Sequence, residues 1–189
     1  MSEVYLGNPN LKKANTPIEF TKENIQEFLK CKDDPVYFAN NYIKIVSLDE
    51  GLVPFRQYPF QKKLIKNFHE NRFNICKMPR QTGKSTTVVS YLLHYAIFND
   101  NVNIAILANK ASTARDLLGR LQLAYENLPT WLQQGIMSWN KGSLELENGS
   151  KILASSTSAS AVRGSSYNII FLDEFAYVPA TIADEFFSS

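Results

Sequence analysis

Asn74-Ile75-Cys76-Lys77-Met78-Pro79-Arg80-Gln81-Thr82-Gly83-Lys84-Ser85-Thr86 is the stretch whose reading decides the fold. A short apolar run breaks at Pro79, passes one glycine and enters a long apolar segment from Ser85 to Phe98. That order predicts strand, loop, helix. A Gly-Lys-Ser at such a turn suits a phosphate. Glycine lets the backbone approach an oxyanion closely. The helix start aims unpaired N–H groups and partial positive charge at it. Lys84 adds an ammonium, and the Ser85 hydroxyl can ligate Mg²⁺. Gln81, Thr82, Gly83 and Thr86 complete the predicted ATP-binding loop with Arg80. The pattern G-x-x-x-x-G-K-[ST] asks for glycine where Met78 stands, so the match is imperfect. Taken alone, the tripeptide also fits a surface turn capping a buried helix.

Working outward, Asn168-Ile169-Ile170-Phe171-Leu172-Asp173-Glu174 supplies a second half-site. Four apolar residues followed by two acids read as a buried parallel strand with carboxylates at its C-terminal end. Asp173 would hold Mg²⁺ and Glu174 would polarise the attacking water. Open α/β sheets bind ligands beyond the carboxyl ends of their strands, which would bring Lys84 and Asp173 together. The two motifs in this order predict a P-loop NTPase that takes ATP and Mg²⁺. The predicted fold class is α/β: a mostly parallel sheet flanked by helices, with a small N-terminal helical layer.

With 189 residues, the chain can bury one sizeable core. A net charge of +2 does not by itself argue for nucleic acid. Cys31 and Cys76 lie far apart, which suits a reduced, cytoplasmic protein. Val88 to Phe98 is too short an apolar run to cross a bilayer, so no membrane role is expected. Residues 1–17 read as a polar arm or linker, 18–50 as the helical layer and 51–189 as the ATPase core. Lys12 and Lys13 read as solvated, Trp131 and Trp139 as core residues. Helices are predicted from Thr21, from Pro35 to Ile43, over Phe60 to Asn71 and over Ser112 to Asn127. A hairpin or long loop is expected over Ile43 to Phe55. Core strands are centred on Ile75, Ile106, Ile152 and Ile170. Leu144 to Leu153 alternates around Asn148-Gly149 and predicts a hairpin.

Gln61, with Phe60 and Tyr58 beside it, resembles the adenine-reading glutamine of helicase-like ATPases. Its amide could pair with an adenine edge, or simply sit at a helix start. Arg163 is the one charge in a small-residue loop, Ser155 to Ser166. It is either an arginine finger for phosphoryl transfer or a loop arginine bonding nearby carbonyls.

Further stretches carry a more specific resemblance: Gly7-Asn8-Pro9-Asn10-Leu11-Lys12-Lys13-Ala14-Asn15, Lys30-Cys31-Lys32-Asp33-Asp34, Arg80-Gln81-Thr82-Gly83-Lys84-Ser85, Ile106-Leu107-Ala108-Asn109-Lys110, Trp139-Asn140-Lys141-Gly142-Ser143, Ala161-Val162-Arg163-Gly164-Ser165 and Phe171-Leu172-Asp173-Glu174. The chain resembles the large terminase subunit of tailed bacteriophages, T-even-like type. That resemblance accounts for Met78, because these ATPases lack the first loop glycine and carry Arg-Gln before Gly-Lys. It implies an ATP-hydrolysing motor that moves double-stranded DNA into the prohead. Lys84 and Ser85 would bind phosphate and Mg²⁺, Asp173 would bind Mg²⁺, Glu174 would be the base and Gln61 would read adenine. Arg80 would be a cis finger or phosphate sensor, and Arg163 a finger acting across a ring interface. Implied partners are DNA, portal protein, small terminase subunit and further copies in a ring, in the host cytoplasm. The family is longer and carries a nuclease domain after the ATPase. In the related strand order 5-1-4-3-2, another strand inserts between those of Ile75 and Ile170. The chain therefore reads as a C-terminally truncated fragment with that strand missing and no nuclease. A helicase-like ATPase and a non-hydrolysing nucleotide- or DNA-binding piece are the alternatives; Phe175-Ala176 after Glu174 disfavours the former.

Overall fold

The computed structural model describes residues 3–47, 49–158 and 166–188. The segment read as an arm carries a hairpin, β1 (Val4–Tyr5) and β2 (Asn8–Lys12). Leu11 is buried, and a parallel bridge joins Lys13 to Ile136. Gln133 accepts from the Lys12 N–H at 3.1 Å and donates to the Asn10 carbonyl at 3.0 Å. Lys12, expected in solvent, pairs with Glu147 at 2.8 Å and is only 10% exposed. Glu147 also accepts from the Asn15 N–H at 2.8 Å. Burial raises the Glu147 pKa, but these hydrogen bonds and the lysine outweigh it and hold the carboxyl below its usual range.

Helix α1 (Lys22–Asp33) starts where the Thr21 hydroxyl accepts from the Asn24 N–H. Asp34 then caps α2 (Pro35–Tyr42), accepting from Val36 and Tyr37, with Pro35 at the position where its missing N–H costs nothing. These helices pack on the later chain through aromatic edges: Phe28 on Phe98 at 5.0 Å, Phe38 on His94 at 5.4 Å and on Phe98 at 5.6 Å. The predicted hairpin follows as β3 (Lys44–Ser47) and β4 (Gly51–Pro54).

Helix α3 (Pro59–Glu70) precedes the loop that ends at Gly83, and α4 (Lys84–Phe98) follows it. From Thr87 to Phe98, α4 is buried at all but Tyr95, as its continuous apolar run requires. Next come β5 (Asn103–Ala108) and α5 (Ala111–Glu126), whose buried Leu117, Leu118, Leu121 and Ala124 form one face. Then come β6 (Ile136–Trp139), β7 (Ser143–Leu146), β8 (Lys151–Ser156), β9 (Ile169–Asp173) and α6 (Ala180–Ser188). Trp131 and Trp139 are half-buried against the core.

The sheet order is β6-β7-β8-β5-β9. Strands β8, β5 and β9 are parallel, whereas β6, β7 and β8 run antiparallel, so the sheet is mixed rather than mostly parallel. The cause is the Asn148-Gly149 turn: Gly149 has φ +80, which folds β7 directly against β8. Ile104 and Ile106 face the main core, while Ala105 and Leu107 face Phe186 of α6 with Leu172 and Phe175.

The strand expected around Ile75 is not formed. Residues 74–79 have no regular structure, and Ile75 is fully exposed. The physical reason lies in the sheet. Among the described residues β9 pairs with β5 alone, and no strand runs beside 74–79 to give them a ladder. A lone extended segment gains nothing from its β-propensity without a pairing strand.

Two outcomes follow for stability. His94 is buried, and its Nε2–H donates to the Cys31 carbonyl at 2.8 Å. Burial lowers its pKa to about 4. Above about pH 6.5 the imidazole is neutral whether the chain is folded or not. As pH falls from there towards 4, the unfolded chain takes up a proton that the folded chain refuses. Stability then drops, by on the order of 3 kcal/mol at the limit. The urea midpoint of wild type should be lower at pH 5 than at pH 7, and His94→Gln should flatten the difference; an equal fall in the variant contradicts the assignment. Glu147→Ala should cost about 1–3 kcal/mol by leaving Lys12 and the Asn15 N–H unpaired. Hydrogen exchange should then accelerate over 4–15 more than over β5.

Candidate phosphate and metal site

The site is assembled by strand register. Ala108 lies opposite Ser156 on one side and Asp173 on the other, so β8, β5 and β9 end in one row. Asp173 is buried at that edge. Gly83 opens α4 with φ +75 and ψ 18, in the left-handed region that favours glycine. A side chain there would also meet the Gln61 amide nitrogen at 2.5 Å. Gly83 brings no capping side chain, so the first amides of α4, at Lys84, Ser85 and Thr86, point outward without one. Lower down, Thr87 donates both its N–H and its hydroxyl to the Gly83 carbonyl, at 3.0 and 2.9 Å.

Lys84 Nζ stands 3.6 Å from Asp173 Oδ1. That separation gives charge compensation but is too long for a hydrogen bond. Oδ1 is accordingly buried with no donor among the described residues. A buried carboxylate oxygen with free lone pairs, near a helix start, suits a hard divalent cation. Among the described residues no cluster of three or more His, Cys, Asp or Glu side chains could hold a metal. A hydrated Mg²⁺ that leans on one carboxylate and on substrate oxygens needs no such cluster.

Glu174 turns away from Asp173. Its φ of +51 and ψ of 36 begin a 3-10 turn over Phe175–Tyr177, and it is exposed. A non-glycine residue in this region costs of order 1–3 kcal/mol and concentrates at functional turns. Gln81 shows the same feature on the loop, with φ +62. Thr82 steadies the loop by donating its hydroxyl to the Pro79 carbonyl at 3.0 Å. Arg80 is exposed, and its Nη2 donates to the Tyr177 hydroxyl at 3.4 Å. Loop and post-strand turn therefore touch twice.

Gln61 is buried. Its Oε1 accepts from the Tyr58 N–H at 2.8 Å and its Nε2 donates to the Thr82 carbonyl at 3.2 Å. It ties the start of α3 to the loop, keeping one N–H and one lone pair uncommitted. Tyr58 and Phe60 stack nearby with rings 5.8 Å apart, both exposed. Ser85 and Thr86 are half-buried in the first turn of α4. Arg163 lies outside the described residues.

Sequence reasoning missed two neighbours of the site. Tyr177 carries no motif and is found only through Arg80. Thr157 follows β8, and its N–H donates to the Ala108 carbonyl at 2.8 Å while its buried hydroxyl has no partner among the described residues. Cys76 sits close enough to Lys84 to feel its charge, although burial dominates and raises the thiol pKa. A depression of about 280 Å³ between Lys32, Asp33, His69, His94 and Asn99 lies in the helical layer and contains none of these groups. Among the described residues no helix is long and apolar enough to cross a membrane.

The solved structure of the HK97 bacteriophage large terminase is similar to this chain, with a TM-score of 0.66 and 20% identity. The similarity covers 83% of this chain and 34% of that one, so the chain spans about a third of that terminase's length. At this identity it speaks for the fold alone. The model of the family described as terminase large subunit, T4likevirus-type, N-terminal, matches residues 75–185. That match runs from Ile75 past the Asp173-Glu174 turn and takes in both halves of the site, and the chain belongs to this T4likevirus-type terminase large-subunit family.

Proposed function

We propose that the chain carries the P-loop ATPase core of a terminase motor, which drives double-stranded DNA into a prohead. The observation that carries this reading is the Lys84–Asp173 approach across the C-terminal edge of the parallel strands. Phosphates would lie against the first amides of α4 and the Lys84 ammonium. Arg80, Gln81, Thr82, Gly83, Ser85 and Thr86 would line the rest of the loop. Mg²⁺ would be held by Asp173 and the Ser85 hydroxyl, and when bound it would neutralise charge on the phosphate oxygens. Glu174, turned out of the strand, would orient and deprotonate the attacking water. Arg80 or Arg163 would offset charge developing on the transferred phosphoryl group. Gln61 would use its uncommitted donor and acceptor on adenine, with Tyr58 or Phe60 beside the base.

Portal protein, small terminase subunit and further copies in a ring are the proposed partners, with the host cytoplasm as the proposed location. A second reading, nucleotide binding without turnover, is favoured by one observation: among the described residues, neither the outer edge of β9 nor the 74–79 segment has a pairing strand. A strand laid in parallel along β9 would give 74–79 a ladder and fix the loop relative to Glu174. Hydrolysis is therefore expected to depend on that strand more than binding does.

Calorimetry of the 189-residue chain with ATP and Mg²⁺ tests the proposal. Binding is expected, with a loss of about tenfold or more in Lys84→Ala, the scale of a charged contact to phosphate. Glu174→Gln should keep binding and abolish whatever turnover is present. Binding indifferent to Lys84→Ala contradicts the proposal. Turnover that survives Glu174→Gln removes Glu174 as the base.

A further inference from the structure

Arg80 and Tyr177 form the outer of two contacts between the loop and the turn after β9. The inner contact, Lys84 to Asp173, is ionic and largely buried. The outer one is a single hydrogen bond from a guanidinium to a phenol, with Tyr177 61% exposed. Among the described residues no carboxylate pairs with Arg80. A guanidinium at this position keeps four further N–H donors after serving Tyr177. The backbone on both sides is committed to unusual torsions, at Gln81 and at Glu174, which aim the two segments at each other. Among the described residues no ladder holds 74–79, so these two side-chain contacts are what ties the loop to the turn.

We propose that Tyr177 is a positioning residue for Arg80: its hydroxyl holds the guanidinium at the Asp173-Glu174 end of the site, facing the terminal phosphate of a nucleoside triphosphate. This rests on the ATPase reading. A long arginine side chain free in solvent loses rotamer entropy when it meets a phosphate. Arg80 is spared part of that loss because the phenol already fixes its direction. The effect falls mainly on the terminal phosphate, which Arg80 would share with Lys84, while the α4 amides would cradle the inner phosphates. The role assigned to Tyr177 is contact with Arg80 rather than with the nucleotide or the attacking water.

The test is a calorimetric double-mutant cycle on the full chain, using ADP and adenosine 5′-thiotriphosphate with Mg²⁺. Wild type, Tyr177→Phe, Arg80→Ala, their double variant and Lys84→Ala are compared. Tyr177 is exposed, so removing one hydroxyl leaves the fold intact, which circular dichroism checks. Tyr177→Phe should weaken the triphosphate about threefold to tenfold relative to ADP, the scale of one hydrogen bond. It should add nothing when Arg80 is already alanine. An unchanged triphosphate-to-ADP ratio, a tighter triphosphate, or the same loss in the Arg80→Ala background overturns the role of Tyr177. If Lys84→Ala meanwhile abolishes binding of both nucleotides, the ATPase reading stands without it. If wild type binds neither nucleotide, or Lys84→Ala changes nothing, the ATPase reading falls and this proposal with it.

Discussion

Lys84 and Asp173 are held 3.6 Å apart by two unrelated devices, and the arrangement of the chain follows from bringing them there. Asp173 is fixed by register: three parallel strands end level, and the last residue of β9 lies opposite Ala108. Lys84 is fixed by the left-handed Gly83, which turns the incoming loop into α4 at one residue. Gln61 reinforces the second device from outside, since its buried amide spans the start of α3 and the Thr82 carbonyl. Among the described residues Lys84 is the cation paired with the buried Asp173 carboxylate, and removing it would leave that charge uncompensated. The pair is therefore both a structural tie and the chemical centre of the proposed site.

The layers around it differ in how completely they are built. On one face, α4, α5 and the N-terminal helices close a continuous core, and the β1–β2 hairpin is pinned to it through Gln133 and Glu147. On the other, Ala105 and Leu107 form a small cluster with Phe186 of α6, and Tyr167, Leu172 and Phe175 pack against it. Among the described residues the outer edge of β9 is unpaired and Ile75 is fully exposed. In the proposed function, phosphate binding would need only the loop, the start of α4 and Asp173, whereas catalysis would also need Glu174 and Arg80 at fixed separations that depend on the less complete side. In the proposed reading, this asymmetry separates binding from turnover.

Much of this was legible in the sequence where a local signal and a tertiary partner agree. Strands β5, β8 and β9 announced themselves as apolar runs with turn residues at their ends. The Asn148-Gly149 turn gave its hairpin, and Thr21 and Asp34 gave their helix starts. The segment around Ile75 shows the limit of that logic: its β-propensity is real, but a strand exists only with a neighbour. Residues Asn8–Lys12 fail in the opposite sense: a polar stretch became a strand by pairing with Val4–Tyr5, and it is docked through Gln133 and Glu147, more than a hundred residues away in sequence. At the site, the sequence named Lys84, Asp173 and Glu174, since glycine, charge and strand pattern mark them. It could not name Tyr177, whose place depends on a side-chain contact from Arg80 across the sheet edge. Nor did the pattern reveal that Gln61 spends half its hydrogen-bonding capacity inside the protein.

The central claim is that the loop ending in Gly83-Lys84 and the turn after Asp173 close on one phosphate group. Hydrogen–deuterium exchange of the full chain, with and without ADP and Mg²⁺, tests it most directly. Slower exchange should appear together over 80–87 and 172–178, and hardly at all over the helical layer around His69 and His94. Protection confined to one of the two segments, or centred on the helical layer, would contradict it.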